Sequence, residues 1–109
     1  MDWSRAASFG SLDPKYPVLA RVGDHEIALC RVGDLVFATE DICSHAYARL
    51  SDGEMRGYEI VCPLHGGTFD VRTGEPIEPP CFEPIRVFAT KVERDDVFVK
   101  LHGDADRTV

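Results

Sequence analysis

Apolar residues in this 109-residue chain fall into short runs broken by glycine, proline and aspartate, and nowhere do they recur at helical spacing over a useful length. Residues 18–22 alternate weakly, Gly23-Asp24 is a turn signal, and residues 27–32 form an apolar strand pattern. Gly33-Asp34 marks a second turn and residues 35–39 a third strand. Short strands separated by Gly-Asp pairs predict an antiparallel meander. Residues 58–61 and 68–71 read as two further short strands, with a turn at residues 73–76. Residues 85–92 and 97–101 supply two closing strands, joined by a turn at Asp95-Asp96. Residues 1–16 carry little periodicity, and residues 13–17 read as a turn or an extended lead-in. Residues 79–84 hold three prolines, which makes them a rigid segment unable to pair in mid-sheet. The pattern predicts an all-β sandwich or barrel as one domain over residues 1–109. A loop-rich subdomain is inserted at about residues 40–84, and a polar tail over 103–109 is disordered.

Composition agrees with a folded chain. Apolar residues make up 44 % and charged residues 28 %, so wholesale disorder is excluded. A domain of this length buries about two-thirds of its unfolded surface. The net charge of -7 disfavours binding to nucleic acid, which needs clustered Lys and Arg. The excess is local: residues 40–83 carry nine acids against three arginines. It reads either as a solvated surface or as a docking field for a positively charged partner. No apolar run is long enough to span a bilayer and the start lacks a signal-peptide layout, so the expectation is a cytoplasmic protein with no membrane association. Four cysteines in a reducing compartment argue for metal binding or structural use over a disulfide framework.

Two of those cysteines stand in paired arms. Cys43 and His45 are separated by one residue, and Cys62 and His65 by two, with sixteen residues between the arms. Together they offer two sulfurs and two nitrogens. A single tetrahedral zinc or iron accepts such a set. Mixed arms also fit a two-iron centre in which one iron takes both sulfurs and the other both imidazoles. Pro63 and Gly66-Gly67 shape the second loop.

The stretch Cys43-x-His45 … Cys62-Pro63-Leu64-His65-Gly66-Gly67 resembles the Rieske [2Fe–2S] signature. Flanking stretches resemble small Rieske ferredoxins of aromatic-ring-hydroxylating dioxygenase systems. They include Leu50-Ser51-Asp52-Gly53 and the run from Thr68-Phe69-Asp70 to Gly74-Glu75. The resemblance spans about residues 17–101 and implies a Rieske-type antiparallel β-sandwich with a small cluster-binding insert. It implies one [2Fe–2S] cluster, with Cys43 and Cys62 on one iron and His45 and His65 on the other. The implied role is a low-potential one-electron carrier, not an enzyme. It would be a monomer moving between an NAD(P)H-dependent, flavin-containing ferredoxin reductase and a terminal Rieske non-haem iron oxygenase. An alternative is a small Rieske-like subunit fixed to a larger oxidoreductase, as in assimilatory nitrite reductase. A zinc-binding interaction module is a third reading, distinguished by colour and metal content.

Two ferric irons, two sulfides and two thiolates sum to zero, so this centre accepts an electron more readily than a four-thiolate cluster. Respiratory Rieske proteins carry an extra cysteine in each loop and serine and tyrosine hydroxyls that donate to cluster sulfurs. The matching positions here are Ala48, Leu64, Gly67 and Phe69, none of which can do so. The expectation is a potential at the low end of the Rieske range, roughly -150 mV. Among the remaining residues, Cys30 reads as a buried small hydrophobe and Cys81 as shielding near the cluster. His25 and His102 read as solvated. Tyr47 and Leu64 fit either local packing or an apolar rim beside the histidines, and Trp3 is assigned only to packing of the N-terminal segment.

Overall fold

The computed structural model describes residues 3–43, 48–64, 66–79 and 83–101. Six strands form the larger sheet: β1 (Trp3–Ser8), β2 (Val18–Val22), β3 (His25–Val32), β4 (Leu35–Glu40), β9 (Val87–Glu93) and β10 (Asp96–Lys100). Four short ones form the second: β5 (Glu54–Arg56), β6 (Glu59–Val61), β7 (Thr68–Asp70) and β8 (Pro76–Glu78). The larger sheet runs β1-β10-β9-β4-β3-β2 and is antiparallel throughout. Its end strands β1 and β2 approach each other, so the sheet curls towards closure. The second sheet, β5-β6-β7-β8, is inserted between β4 and β9. Two three-residue 3-10 turns, Phe9–Ser11 and Leu50–Asp52, are the helical elements among the described residues, which confirms the all-β expectation.

Two hydrophobic cores divide the molecule, and β3 explains why. In β3 the run Ile27-Ala28-Leu29-Cys30 is buried at every position. Side chains alternate across a strand, so Ile27 and Leu29 enter a core with Val22, Val36, Ala38, Phe88, Val97 and Val99. Ala28 and Cys30 enter the other core, with Leu50, Met55, Ile60, Phe69, Val71 and Ile85. Cys43 and Cys62 belong to this second core. A strand buried on both faces reads as a continuous apolar run, and here it joins the barrel-like sheet to the inserted one. Burying a ring such as Phe69 contributes roughly 2–3 kcal/mol.

Three strands were absent from the sequence pattern: β1, β5 and β8. Strand β1 is built from the small, mixed residues WSRAAS and is half-buried along most of its length. It gains its place by pairing with β10, and Trp3 lies under the ammonium groups of Lys91 and Lys100, 4.8 and 5.9 Å from its ring centroid. Strand β8 begins with Pro76 at the edge of its sheet, where a missing amide is tolerated. The last turn falls at Arg94-Asp95 rather than Asp95-Asp96, because Asp96 starts β10 and accepts a 2.7 Å bond from Arg5. His25 is half-buried rather than solvated, edge-on to Phe88 with ring centroids 6.1 Å apart. His102 and the tail over 103–109 lie outside the described residues. Among the described residues no helix is long and apolar enough to cross a membrane.

Candidate metal centre

The chain leaves β4 and passes Asp41 and Ile42 to Cys43. Residues 41–43 run antiparallel to residues 48–50, which makes a narrow neck. Leu50 N donates to Asp41 O at 2.6 Å, Ile42 forms an isolated antiparallel bridge with Arg49, and Cys43 N donates to Ala48 O at 2.9 Å. The neck therefore pairs Cys43 with Ala48 and frames the first arm. Asp41 is fully buried at its base. Its Oδ1 accepts from Ser51 N at 2.8 Å and its Oδ2 from Arg49 Nη1 at 3.0 Å. The same Nη1 lies 2.6 Å from Glu26 Oε1 on β3, and Arg21 Nε reaches Glu26 Oε2 at 3.1 Å. The two guanidinium groups, Arg49 first, hold the Glu26 carboxyl below its usual range.

The second arm leaves β6 directly at Cys62. Cys62 N donates to Gly67 O at 2.8 Å and Gly66 N returns to Cys62 O at 3.0 Å, closing a tight loop. Gly66 has φ +77°, a left-handed conformation disfavoured for residues with a Cβ, so the glycine after the second histidine is a backbone requirement. Pro63 and Leu64 project from this loop, and Leu64 is 56 % exposed. Gly67 is buried, and so is Phe69, in the same core as Cys43 and Cys62. These two positions bring no hydroxyl to that core.

A third segment closes behind the arms. Gly74, at φ +84°, donates to Asp70 O at 2.6 Å and accepts from Ile85 N at 2.9 Å. A Cβ on Gly74 would collide with the carbonyl oxygen of Ile85. That close approach seats Ile85 in the core that holds both cysteines. Nearby, Arg72 grips both oxygens of Asp70 at 3.0 and 2.8 Å and stacks on Tyr58, 4.1 Å from the ring centroid. The Arg72 bond is the main cause that lowers the Asp70 pKa.

Cys43 and Cys62 are thus brought into one buried apolar core at the bases of two adjacent loops. His45 and His65 lie outside the described residues, as do Tyr47 and Cys81. Cys30 is a free, fully buried thiol on the barrel side of the same core, and burial pushes its pKa up to about 12. It is a packing residue, as expected. Among the described residues no group of three or more His, Cys, Asp or Glu side chains stands ready for a metal ion. The donor chemistry fits a [2Fe–2S] group: two soft sulfurs share a floor from which water is excluded, and an imidazole follows each within the same loop. Sequence reading passed over the Asp41–Arg49–Glu26 linkage and the Gly74–Ile85 approach, because each joins positions with no fixed spacing.

The comparisons with known proteins agree with this construction. The Rieske [2Fe-2S] domain family matches residues 2–89. Ferredoxin CarAc of Metapseudomonas resinovorans is 48 % identical over 79 residues, covering 72 % of this chain and 74 % of its own. The ferredoxin component of the naphthalene 1,2-dioxygenase/salicylate 5-hydroxylase systems of Ralstonia sp is 38 % identical over 100 residues, covering 92 % and 96 %. Among solved structures, the ferredoxin of carbazole 1,9a-dioxygenase from Nocardioides aromaticivorans IC177 superposes with a TM-score of 0.86 at 39 % identity, covering 91 % of this chain and 97 % of that one. The ferredoxin expectation holds, and with it the expectation of one Rieske cluster and of an electron-transfer role in place of catalysis. The chain belongs to the Rieske [2Fe–2S] family, as a small ferredoxin of the kind that serves aromatic-ring dioxygenase systems.

Proposed function

We propose that this ferredoxin is a cytoplasmic, monomeric shuttle that takes single electrons from an NAD(P)H-dependent flavin reductase and delivers them to a terminal Rieske non-haem iron oxygenase. Cys43 and Cys62 hold one iron and His45 and His65 the other, within one domain whose insert serves the cluster. The observation that carries this reading is the seating of Cys43 and Cys62 in one buried core beneath a loop that presents Pro63 and Leu64 to solvent. A relative's structure supports the choice of acceptor: a complex of reduced oxygenase and oxidized ferredoxin in carbazole 1,9a-dioxygenase matches this chain at 40 % identity and a TM-score of 0.83.

The bound cluster supplies reversible one-electron exchange at a potential raised by its imidazole ligands. The chain's residues do the rest. The second core keeps water from the two sulfurs. Pro63 and Leu64 offer a small apolar contact, suited to brief docking rather than permanent assembly. The acid excess of residues 40–83, including exposed Asp52, draws in a cation-lined partner. The free thiol of Cys30 suits a reducing compartment.

Holoprotein analysis and stopped-flow mixing test the proposal. Two irons and two acid-labile sulfides per chain are expected, with one electron accepted from the reductase and passed on to the oxygenase. Cys43→Ala and Cys62→Ala proteins are expected to lack the visible chromophore. A zinc-loaded, colourless protein, or a holoprotein that stays oxidised with reductase and NAD(P)H, overturns it. Co-elution with a large subunit through gel filtration at high salt would overturn the shuttle in favour of a fixed subunit.

A further inference from the structure

The neck of the first arm is braced by a charged linkage that the electron-carrier reading does not require. Asp41 has a fully buried carboxylate, and an uncompensated charge in such a place costs several kcal/mol. Its compensation comes from the Ser51 amide at 2.8 Å and from Arg49 Nη1 at 3.0 Å, both reaching it from across the neck. Arg49 is held from the other side by Glu26 of β3, whose backbone oxygen also accepts from Asp41 N at 3.1 Å. Strand β3 sends buried residues into both cores. Arg49 therefore ties the neck to the most deeply buried strand through one nitrogen shared by two carboxylates. The register follows: with Arg49 opposite Ile42, Ala48 must sit opposite Cys43. A one-residue slip would leave Asp41 without its cation and turn Cys43 away from the second core.

We propose that Arg49 is a positioning residue, locked between Asp41 and Glu26, that fixes the register of the first arm and so the cluster-holding geometry of that arm. The proposal rests on the assignment of Cys43 as a ligand. Lysine is a partial substitute: its ammonium can also bridge two carboxylates, but it is more strongly hydrated than a guanidinium and so costs more to hold against the buried Asp41.

The test uses holoprotein, with cluster loss to a chelator followed by visible absorbance and the reduced state followed by electron paramagnetic resonance. For Arg49→Met, loss is expected to be roughly tenfold faster, the factor set by about 1.4 kcal/mol, the scale of one hydrogen bond to a charged group. Its resonance lines are expected to broaden. Arg49→Lys should fall between Arg49→Met and wild type, and Glu26→Gln, which leaves the Asp41–Arg49 pair in place, should lose its cluster about two- to threefold faster. A brace that served the fold alone would lower the melting temperature while leaving line shape and loss rate at wild-type values, which overturns the proposal. Should Arg49→Met fail to fold, Glu26→Gln decides alone: a wild-type rate and spectrum overturn the proposal. Cys43→Ala distinguishes the two levels. If it still loads a full cluster, the ligand assignment falls and the proposal with it; if it loads none while Arg49→Met behaves as wild type, only the positioning role falls.

Discussion

Replacing Gly74 by alanine should loosen the molecule strongly. Two costs combine there. Gly74 sits at φ +84°, where a side chain costs roughly 1 kcal/mol or more. The added methyl also meets the Ile85 carbonyl oxygen, so the backbone must part. Parting removes the 2.9 Å bond from Ile85 N to Gly74 O, about 1 kcal/mol. It also lifts Ile85 partly out of the core it shares with both cysteines, a further 1–2 kcal/mol on the scale of ~1–3 for core disturbance. The total is about 3–4 kcal/mol, a large share of the ~5–15 kcal/mol that holds a small domain together. At this chain length 1 kcal/mol corresponds to about 4 °C, so the melting temperature should fall by roughly 12–16 °C. Gly57→Ala is the control. Gly57 has φ +61° but open space around its would-be Cβ, so it carries the conformational cost without the collision. Its melting temperature should fall by roughly 4 °C. Both are read by circular dichroism at one scan rate, with visible absorbance reporting the cluster in parallel. Equal shifts for the two variants would refute the argument, because the steric part would then be absent.

Three further outcomes are expected. Arg94 is a non-glycine residue at φ 59°, so Arg94→Gly should raise the melting temperature by a few degrees at most, about 0.5–1 kcal/mol; a fall would contradict the strain assignment. Phe69→Tyr introduces a hydroxyl into the core that holds Cys43 and Cys62; a bond worth about 1–1.5 kcal/mol more to the reduced state raises the midpoint by roughly 40–65 mV for one electron, and an unchanged or lower value in protein-film voltammetry speaks against it. Arg72 lowers the folded-state pKa of Asp70 below its unfolded value, so their bond stabilises the fold above the ordinary carboxylate range and is lost as pH falls through the depressed pKa; Asp70→Asn should flatten the acid limb of a stability–pH curve below about pH 4, and an unaltered limb would remove Asp70 from the account.

The parts of this molecule legible in its sequence are those where one local signal sufficed. Gly23 and Gly33, both near φ +60°, opened their hairpins where the Gly-Asp pairs said they would. The apolar run through Ile27 and Cys30 marked a strand, although not that it would be buried on both faces where two separate cores meet. The turn between β9 and β10 was misplaced by one residue because Arg94 does the work of a glycine there. Strand β1 was invisible because its alternation is carried by Trp3, Arg5 and small residues and its stability comes from a partner at the far end of the chain. At the metal centre the four donor types could be picked out by spacing, and Phe69 and Gly67 by position within the motif. Arg49 and Glu26 could not, since the contact joins β3 to the neck of the first arm at no fixed spacing and takes its force from the burial of a third residue, Asp41.

The chain departs from β4 and returns at β9, and these strands are paired neighbours: Ala38 faces Phe88 and Thr39 faces Val87. At the junction Glu40 N donates to Arg86 O at 2.9 Å, and Arg86 N returns to Glu40 Oε1 at 2.6 Å. The metal-bearing segment is closed by this rung where both its ends join the larger sheet. Its two ends are already held together by the barrel, so closing a loop of that length adds little entropic cost beyond the barrel's own, and lengthening it costs only about 0.6 kcal/mol per doubling. Such a segment behaves as a plug-in cassette. Loops at its tip can be rewritten for a new partner without renegotiating the strand order beneath. The same fold can also be carried inside larger proteins: dicamba monooxygenase superposes over 97 % of this chain with a TM-score of 0.84, and this chain spans 35 % of that protein's length.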